Sequence, residues 1–329
     1  MDWEQRCIRV CAAVLISAVA LRLWAGGALI PVGQALQRSE TASFLLYLHT
    51  GRVIRGVPET VPEAQPLTSQ SLKPEEPVRV TFQASDARLV NIDHNCDRRP
   101  DVESLLTEPV VLELTGEGPK VLILHSHTTE SFTQTADRYE ASSDYRTLDS
   151  GHNMIALGKT VADILREAGV EVIHDTTLHD YPSYNGSYSH AAASTKAYLE
   201  KYPSIELILD LHRDAADTAS GQLVTKCTIG GENAAQLMFV VGTDTRLSHP
   251  DWERNMSLAL KLQVLLEQKN PGICRDMNLT RNRYNQHLGN YALLIEIGAA
   301  GNTLAEATLA AEKLAQAIIQ LRYGAGSAR

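Results

Sequence analysis

The chain has 329 residues, 44% of them hydrophobic and 21% charged, with a formal net charge of −9 at pH 7. That length and balance give one large or two modest domains with a substantial core, and exclude a wholly disordered chain or a multi-span membrane protein. The acidic charge excludes non-specific nucleic-acid binding, which requires a basic surface.

The first element, residues 1–33, carries a mainly apolar run from Ile8 to Leu21, with Arg9 near its start, that is interrupted at Arg22 and resumes through Trp24 to Val32. Counted through Arg22 the run reaches ~20 residues, the length that crosses a ~30 Å hydrocarbon core. Arginine at the centre of a span costs ~2.5–3.5 kcal/mol unless it snorkels from nearer an end, and Trp24 suits an interfacial anchor. The segment reads as an uncleaved N-terminal membrane anchor; a cleaved signal peptide, with small residues at Ala25-Gly26-Gly27-Ala28, is the alternative. On both readings the remainder is exported. Residues 34–77 hold a short amphipathic patch (Phe44, Leu45, Leu46, Leu48) and then, from Gly56 to Pro77, the Pro, Glu, Ser, Thr and Gln of a flexible linker.

Residues 78–118 show short alternating stretches, Val78–Phe82 and Val110–Leu114, which predict strands of a small β accessory element. From residue 119 to 323 the pattern changes. Continuous apolar runs at Val121–Leu124, Val170–Ile173, Ile205–Leu209, Met238–Val241 and Ala292–Ile295 alternate with helical periodicities. One helix carries Leu157, Val161, Ile164, Leu165 and Ala168 on a single face; another carries Leu304, Ala307, Ala311, Leu314, Ala315 and Ile318 and opens on the capping-box pattern Thr303–Glu306. The prediction is an α/β domain with a mainly parallel sheet and helices on both faces, its active site at the carboxyl ends of the strands. Residues 324–329 read as a tail.

Three of the predicted strands run into polar residues. The first leads into His125-Ser126-His127-Thr128-Thr129-Glu130, the second through Asp210 into His212-Arg213-Asp214, the third into Glu296-Ile297-Gly298. His125-Ser126-His127 puts two imidazoles on one side of an extended chain. Zinc takes imidazole and carboxylate ligands, three from the protein in catalytic sites, and a further carboxylate must move protons. Each of these residues also has a plain structural role open to it: a loop histidine, a local Arg213–Asp214 ion pair, Asp210 as the partner that fixes the His212 tautomer. Glu296 fits such a role least well, because it follows five apolar residues in a central strand and a buried carboxylate without a partner is costly. The five cysteines contain no C-x-x-C pair, and Cys227 and Cys274 are available to pair in an oxidising compartment.

His125–Phe132, Asp210–Ala215, the segment His179–Ser189, and Leu294–Gly298 with Asn302-Thr303-Leu304 together resemble the stage II sporulation protein P family. Four motifs in order carry the resemblance, over roughly residues 119–323. It implies a zinc-dependent N-acetylmuramoyl-L-alanine amidase related to the Amidase_3 type, with stem-peptide endopeptidase activity besides, acting on peptidoglycan in septal thinning and engulfment. The implied partners are the stage II sporulation protein D transglycosylase and stage II sporulation protein M, and the implied location is the septal or engulfing membrane.

Carried over by motif, His127 and His212 are zinc ligands, Glu296 is the catalytic glutamate, and Arg213 is a candidate to stabilise the oxyanion. The third ligand lies between Glu130, preferred because it stands inside the motif, and Asp149, four residues before Asn153. Tyr184, Asn185 and Tyr188 are candidates to contact glycan or stem peptide. His190 stands where the family pattern leads one to expect arginine. Two rival functions remain: a zinc peptidase confined to stem peptides, and a non-catalytic wall-binding scaffold that recruits the transglycosylase.

Overall fold

The computed structural model describes residues 80–133, 145–219 and 221–324. The expected anchor, patch and linker, and all but the first residue of the tail, lie outside the described residues. Among the described residues no helix is long and apolar enough to cross a membrane.

A 3₁₀ turn, Ala84–Leu89, leads to β1 (Ile92–Asn95) and the short helix α1 (Val102–Thr107), capped by Asp101 accepting from the Ser104 amide. Then come β2 (Val121–Leu124), α2 (Met154–Glu167), β3 (Val172–His174), α3 (Ser187–Lys201) and β4 (Leu207–Asp214). Two small hairpins follow, β5 (Asp217–Thr218) with β6 (Gly221–Gln222) and β7 (Lys226–Ile229) with β8 (Glu232–Ala235). The chain closes with β9 (Leu237–Gly242), α4 (Trp252–Lys269), β10 (Met277–Thr280), β11 (Tyr291–Ala299) and α5 (Leu304–Gly324).

Seven strands form one sheet in the order β1-β10-β9-β11-β4-β2-β3. Neighbours are parallel except β9 and β11, which run antiparallel. The expected α/β architecture with a mainly parallel sheet is therefore present. The reversal at β9 was not visible beforehand, because a strand buried on both faces reads as a continuous apolar run whichever way it points.

Alternate residues divide the core. Val121, Ile123, Leu207, Leu209, Leu211, Leu293, Ile295 and Ile297 face the side covered by α2, α4 and α5. Leu122, Leu124, Ile208 and Ala292 face Ala191, Tyr198 and Leu199 of α3 on the other side. Each such aliphatic side chain contributes ~1.5–3 kcal/mol when fully buried. The capping box of α5 is formed in both directions: the Glu306 amide donates to Thr303 Oγ1 at 3.2 Å and the Thr303 amide donates to Glu306 Oε2 at 3.1 Å.

Residues 80–118 correct the expectation of strands at Val78–Phe82 and Val110–Leu114 in a small β accessory element: neither the described residues 80–82 nor 110–114 form a strand. β1 is an edge strand of the main sheet, in register with β10, and α1 packs against α4. Val110, Leu112 and Leu114 are buried while Val111 is 60% exposed, so their alternation is real, but these residues form no strand. Alternation reports which side chains face the core, whereas a ladder also needs an open strand edge as partner.

Candidate active site

β11, β4 and β2 are consecutive in the sheet, which brings the three polar strand ends side by side. Glu296 and His212 are direct partners in the β11–β4 register. Immediately beyond Glu296 the register shifts, with Gly298 at φ 70°, where a Cβ would lie 2.7 Å from that of Ala235. Glycine is required for that left-handed step, and the irregularity interrupts the pairing just past the carboxylate until it resumes at Ala299 opposite Asp214. Asn302, fully buried, secures the turn: its Oδ1 accepts from the Ala299 and Thr225 amides at 2.9 and 3.2 Å, and its Nδ2 donates to Thr225 O at 3.0 Å.

After β2 the chain turns at once, over Ser126–Thr129. The expected pair of imidazoles on one side is therefore split. His125 is buried behind the site, with Nδ1 3.0 Å from Leu211 O and Nε2 3.0 Å from His174 Nε2. Burial, then the neighbouring His174, pushes its pKa down to about 3. Gly158 of α2 leaves the space this pair occupies. His127 instead reaches the His212 ring, perpendicular to it at 5.2 Å between centroids.

Glu130 lies 3.5 Å from His212, Oε2 to Nδ1. Its other oxygen faces two guanidinium groups, Arg146 at 3.7 Å and Arg213 at 3.8 Å. Burial alone would raise this carboxyl, but the His212 contact and the charges of Arg213 and His212 outweigh it and hold the pKa at about 2. On its other side His212 Nε2 lies 2.9 Å from Asp210 Oδ1, an ion-pair distance off the line of a hydrogen bond. Asp210 is itself fixed by the Ser126 amide and hydroxyl at 2.8 and 2.6 Å. Burial lowers the His212 pKa, yet the two carboxylates carry it well above the ordinary histidine value. Among the described residues Glu296 has no comparable partner and its Oε2 is buried without a hydrogen bond, and burial pushes its pKa up to about 8.

The remaining expected residues sort as follows. Asp149 is half exposed and paired with His152 at 2.7 Å, whereas Glu130 stands within the histidine cluster. Arg213 is buried, with Nε donating to Ser131 O at 2.9 Å and Nη2 to Tyr145 O at 3.0 Å. The guanidinium thus bonds backbone carbonyls and braces Glu130. Nor do Arg213 and Asp214 pair, since Asp214 is bound by Arg275 at 2.7 Å.

Tyr184 stacks on His127 at 4.6 Å with its hydroxyl 3.2 Å from Nε2, and Asn185 is exposed beside it. Tyr188 sets its ring against both His127 and His212, at 5.2 and 6.1 Å. Burial, then the charges of Asp210, Glu296 and Glu130, raise its phenol well above the usual tyrosine range. His190 bonds through Nδ1 to His179 O at 2.9 Å. Cys96, Cys227 and Cys274 are free thiols.

Two participants escaped the sequence reading. Arg146 joins Asp180 at 2.6 Å and lies 4.7 Å from the Tyr184 ring centre; Tyr284 lies 5.4 Å from Tyr188. Neither belongs to a strand-end motif, so no local signal marked them.

Among the described residues no three His, Cys, Asp or Glu side chains enclose a metal ion as they stand. The donor set nevertheless fits zinc. His127 Nδ1 is a buried nitrogen without a hydrogen-bond partner, and the 3.5 Å between His212 Nδ1 and Glu130 Oε2 is close to the ~3.3 Å that separates neighbouring ligands on a tetrahedral ion with ~2.0–2.1 Å bonds.

A model of the family described as stage II sporulation protein P matches residues 57–319. Stage II sporulation protein P of Bacillus subtilis (strain 168) is 27% identical over 224 residues, which are 65% of this chain and 53% of that protein. The chain thus spans about half the length of the curated relative it matches. Among solved structures, the N-acetylmuramoyl-L-alanine amidase AmiC2 of Nostoc punctiforme is 15% identical, aligning 63% of this chain with 97% of that one at a TM-score of 0.38. An N-acetylmuramoyl-L-alanine amidase from Clostridium difficile 630 is 16% identical, aligning 63% with 95% at a TM-score of 0.37.

Proposed function

The chain belongs to the stage II sporulation protein P family, and on that premise we propose that it is a zinc-dependent peptidoglycan hydrolase of sporulation, cleaving the amide between N-acetylmuramic acid and L-alanine. The observation that carries this reading is the juxtaposition of Glu296 with His212 in register, beside the His127 and Glu130 that the neighbouring strand end supplies.

His127, His212 and Glu130 would hold the metal, which when bound supplies a Lewis acid for the scissile carbonyl and acidifies a water. Asp210 steadies the His212 imidazole, and Arg213 and Arg146 hold the far oxygen of Glu130, so that Oε2 stays turned toward His212. Glu296 takes the proton of the attacking water as its oxygen adds to the carbonyl carbon. It returns that proton to the alanine nitrogen as the C–N bond breaks. Burial raises this carboxyl above the ordinary carboxylate range, which makes it a stronger proton acceptor. Tyr184 and Asn185 line the open side, where glycan and stem peptide would lie. Export on an N-terminal anchor, action at the septal or engulfing membrane, and partnership with the D and M proteins of the same sporulation stage complete the reading.

Digestion of purified peptidoglycan by the full chain tests it, beside Glu296→Ala and with chelator, products read by mass spectrometry. Released stem peptides with a free L-alanine amine, abolished by chelator and by the substitution and restored by zinc, are the expected result. Cuts only within stem peptides would replace the amidase by a peptidase. No cleavage by zinc-loaded protein in the presence of its transglycosylase partner would leave a wall-binding scaffold.

A further inference from the structure

We infer that Tyr188 is a catalytic residue whose phenolic hydroxyl donates a hydrogen bond to the oxyanion developing on the scissile carbonyl. The inference rests on the hydrolase reading above and adds to it a donor for the transition state. The site needs one, and the arginine of the strand-end motif is engaged elsewhere. The Arg213 guanidinium is bound to Ser131 O and Tyr145 O and faces Glu130.

Tyr188 is placed for the task from two directions. Its ring meets His127 edge-on, at 82° and 5.2 Å, and stacks on His212, at 11° and 6.1 Å, so it borders both histidines at once. That ring carries a hydroxyl able to donate to a bound ligand. Among the described residues that hydroxyl has no hydrogen-bond partner. Tyr188 is half-buried, and a hydroxyl with no partner within the protein is open to donate to a ligand.

The residue is also braced. Its carbonyl accepts from Asn285 Nδ2 at 2.7 Å, and Tyr284 lies against its ring at 5.4 Å. Tyr284 and Asn285 are consecutive residues at φ 42° and 63°, in the left-handed region that non-glycine residues avoid. Such backbone persists where the surroundings over-determine it, and it gathers at functional sites. Here it holds a second wall against Tyr188.

In the step proposed, water oxygen bonds to the carbonyl carbon while the C=O electron pair moves onto oxygen, and the Tyr188 O–H stabilises that charge without giving up its proton. On collapse the C=O re-forms, the C–N pair leaves on nitrogen, and the nitrogen takes the proton carried by Glu296.

The test compares the full chain with Tyr188→Phe, which keeps the ring and its packing and removes one hydroxyl. The readings are kcat and KM on a soluble muramoyl peptide, zinc content, melting temperature, and the affinity of a phosphinate that mimics the tetrahedral intermediate. The expected result is a kcat lower by roughly 10²–10³-fold with KM changed by less than about threefold. The phosphinate should weaken by a similar factor, with zinc content and melting temperature unchanged. A raised KM at unchanged kcat, or an unchanged phosphinate affinity, would make Tyr188 an ordinary contact and overturn the inference. Wild-type protein that neither binds zinc nor cuts the amide overturns the hydrolase reading itself, whereas equal activity of wild type and variant overturns the role of Tyr188 alone.

Discussion

Replacing Glu296 by glutamine in chelator-treated protein should stabilise the fold at pH 8 far more than at pH 5. Burial, only partly offset by the charge of His212, raises this carboxyl from 4.5 to about 8 in the folded chain. Between those values the folded state binds the proton and the unfolded state has released it. The stability that protonated Glu296 allows is therefore complete below about pH 4.5 and is lost as pH rises through 8. Relative to low pH, a shift of that size removes about 1 kcal/mol by pH 5 and on the order of 4 kcal/mol by pH 8. Glutamine carries no such dependence. The difference between variant and wild type should accordingly grow by about 3 kcal/mol across the window, or on the order of 10 °C in melting temperature for a domain of this size. Thermal unfolding of both proteins at half-unit pH steps, with chelator throughout so that no cation neutralises the carboxylate, measures it directly. Residues that titrate alike in both proteins cancel in the difference. A constant offset from pH 5 to 8 would show that Glu296 is ionised throughout, and the use of burial to poise it for proton transfer would be refuted.

Three further outcomes are expected. Lys261 is buried, and desolvation lowers its pKa from 10.5 to about 8; the unfolded chain then binds more protons between those values, so wild-type stability in urea should rise with pH across that window and flatten in Lys261→Met. Asn302→Ala strands the Thr225 and Ala299 amides that its Oδ1 serves and should cost about 2–4 kcal/mol in equilibrium denaturation, with activity of the remaining folded protein also reduced. A Cβ at Gly242 would overlap Asn282 O and Arg283 Cα, so Gly242→Ala should displace the loop bearing Tyr284 and Asn285 and destabilise by about 1–3 kcal/mol; unchanged stability and unchanged phosphinate binding would show that the loop does not seat on that glycine.

Much of this molecule is written locally. Val121–Leu124, the cores of β4 and β11, and the amphipathic faces of α2 and α5 announce themselves because a strand buried on both faces must be apolar throughout and a helix must bury one stripe. Glu296 was conspicuous for the same reason, as an ionisable side chain in an apolar run. What the sequence could not carry depends on which segments become neighbours. β1 presents mostly exposed residues and is held by main-chain pairing to β10, so no side-chain pattern marks it. His125 and His127 look equivalent in a row of letters, and only the turn over Ser126–Thr129 sends one behind the sheet and the other to His212. Arg213 has the charge for an oxyanion site, but the carbonyls of Ser131 and Tyr145 claim it. The sequence by itself determined the class of fold and the kinds of groups in the site, because burial selects residues one position at a time. The tertiary structure alone decided which of those groups face one another, because charge, hydrogen bonding and ligand geometry act across space between strands far apart in the chain.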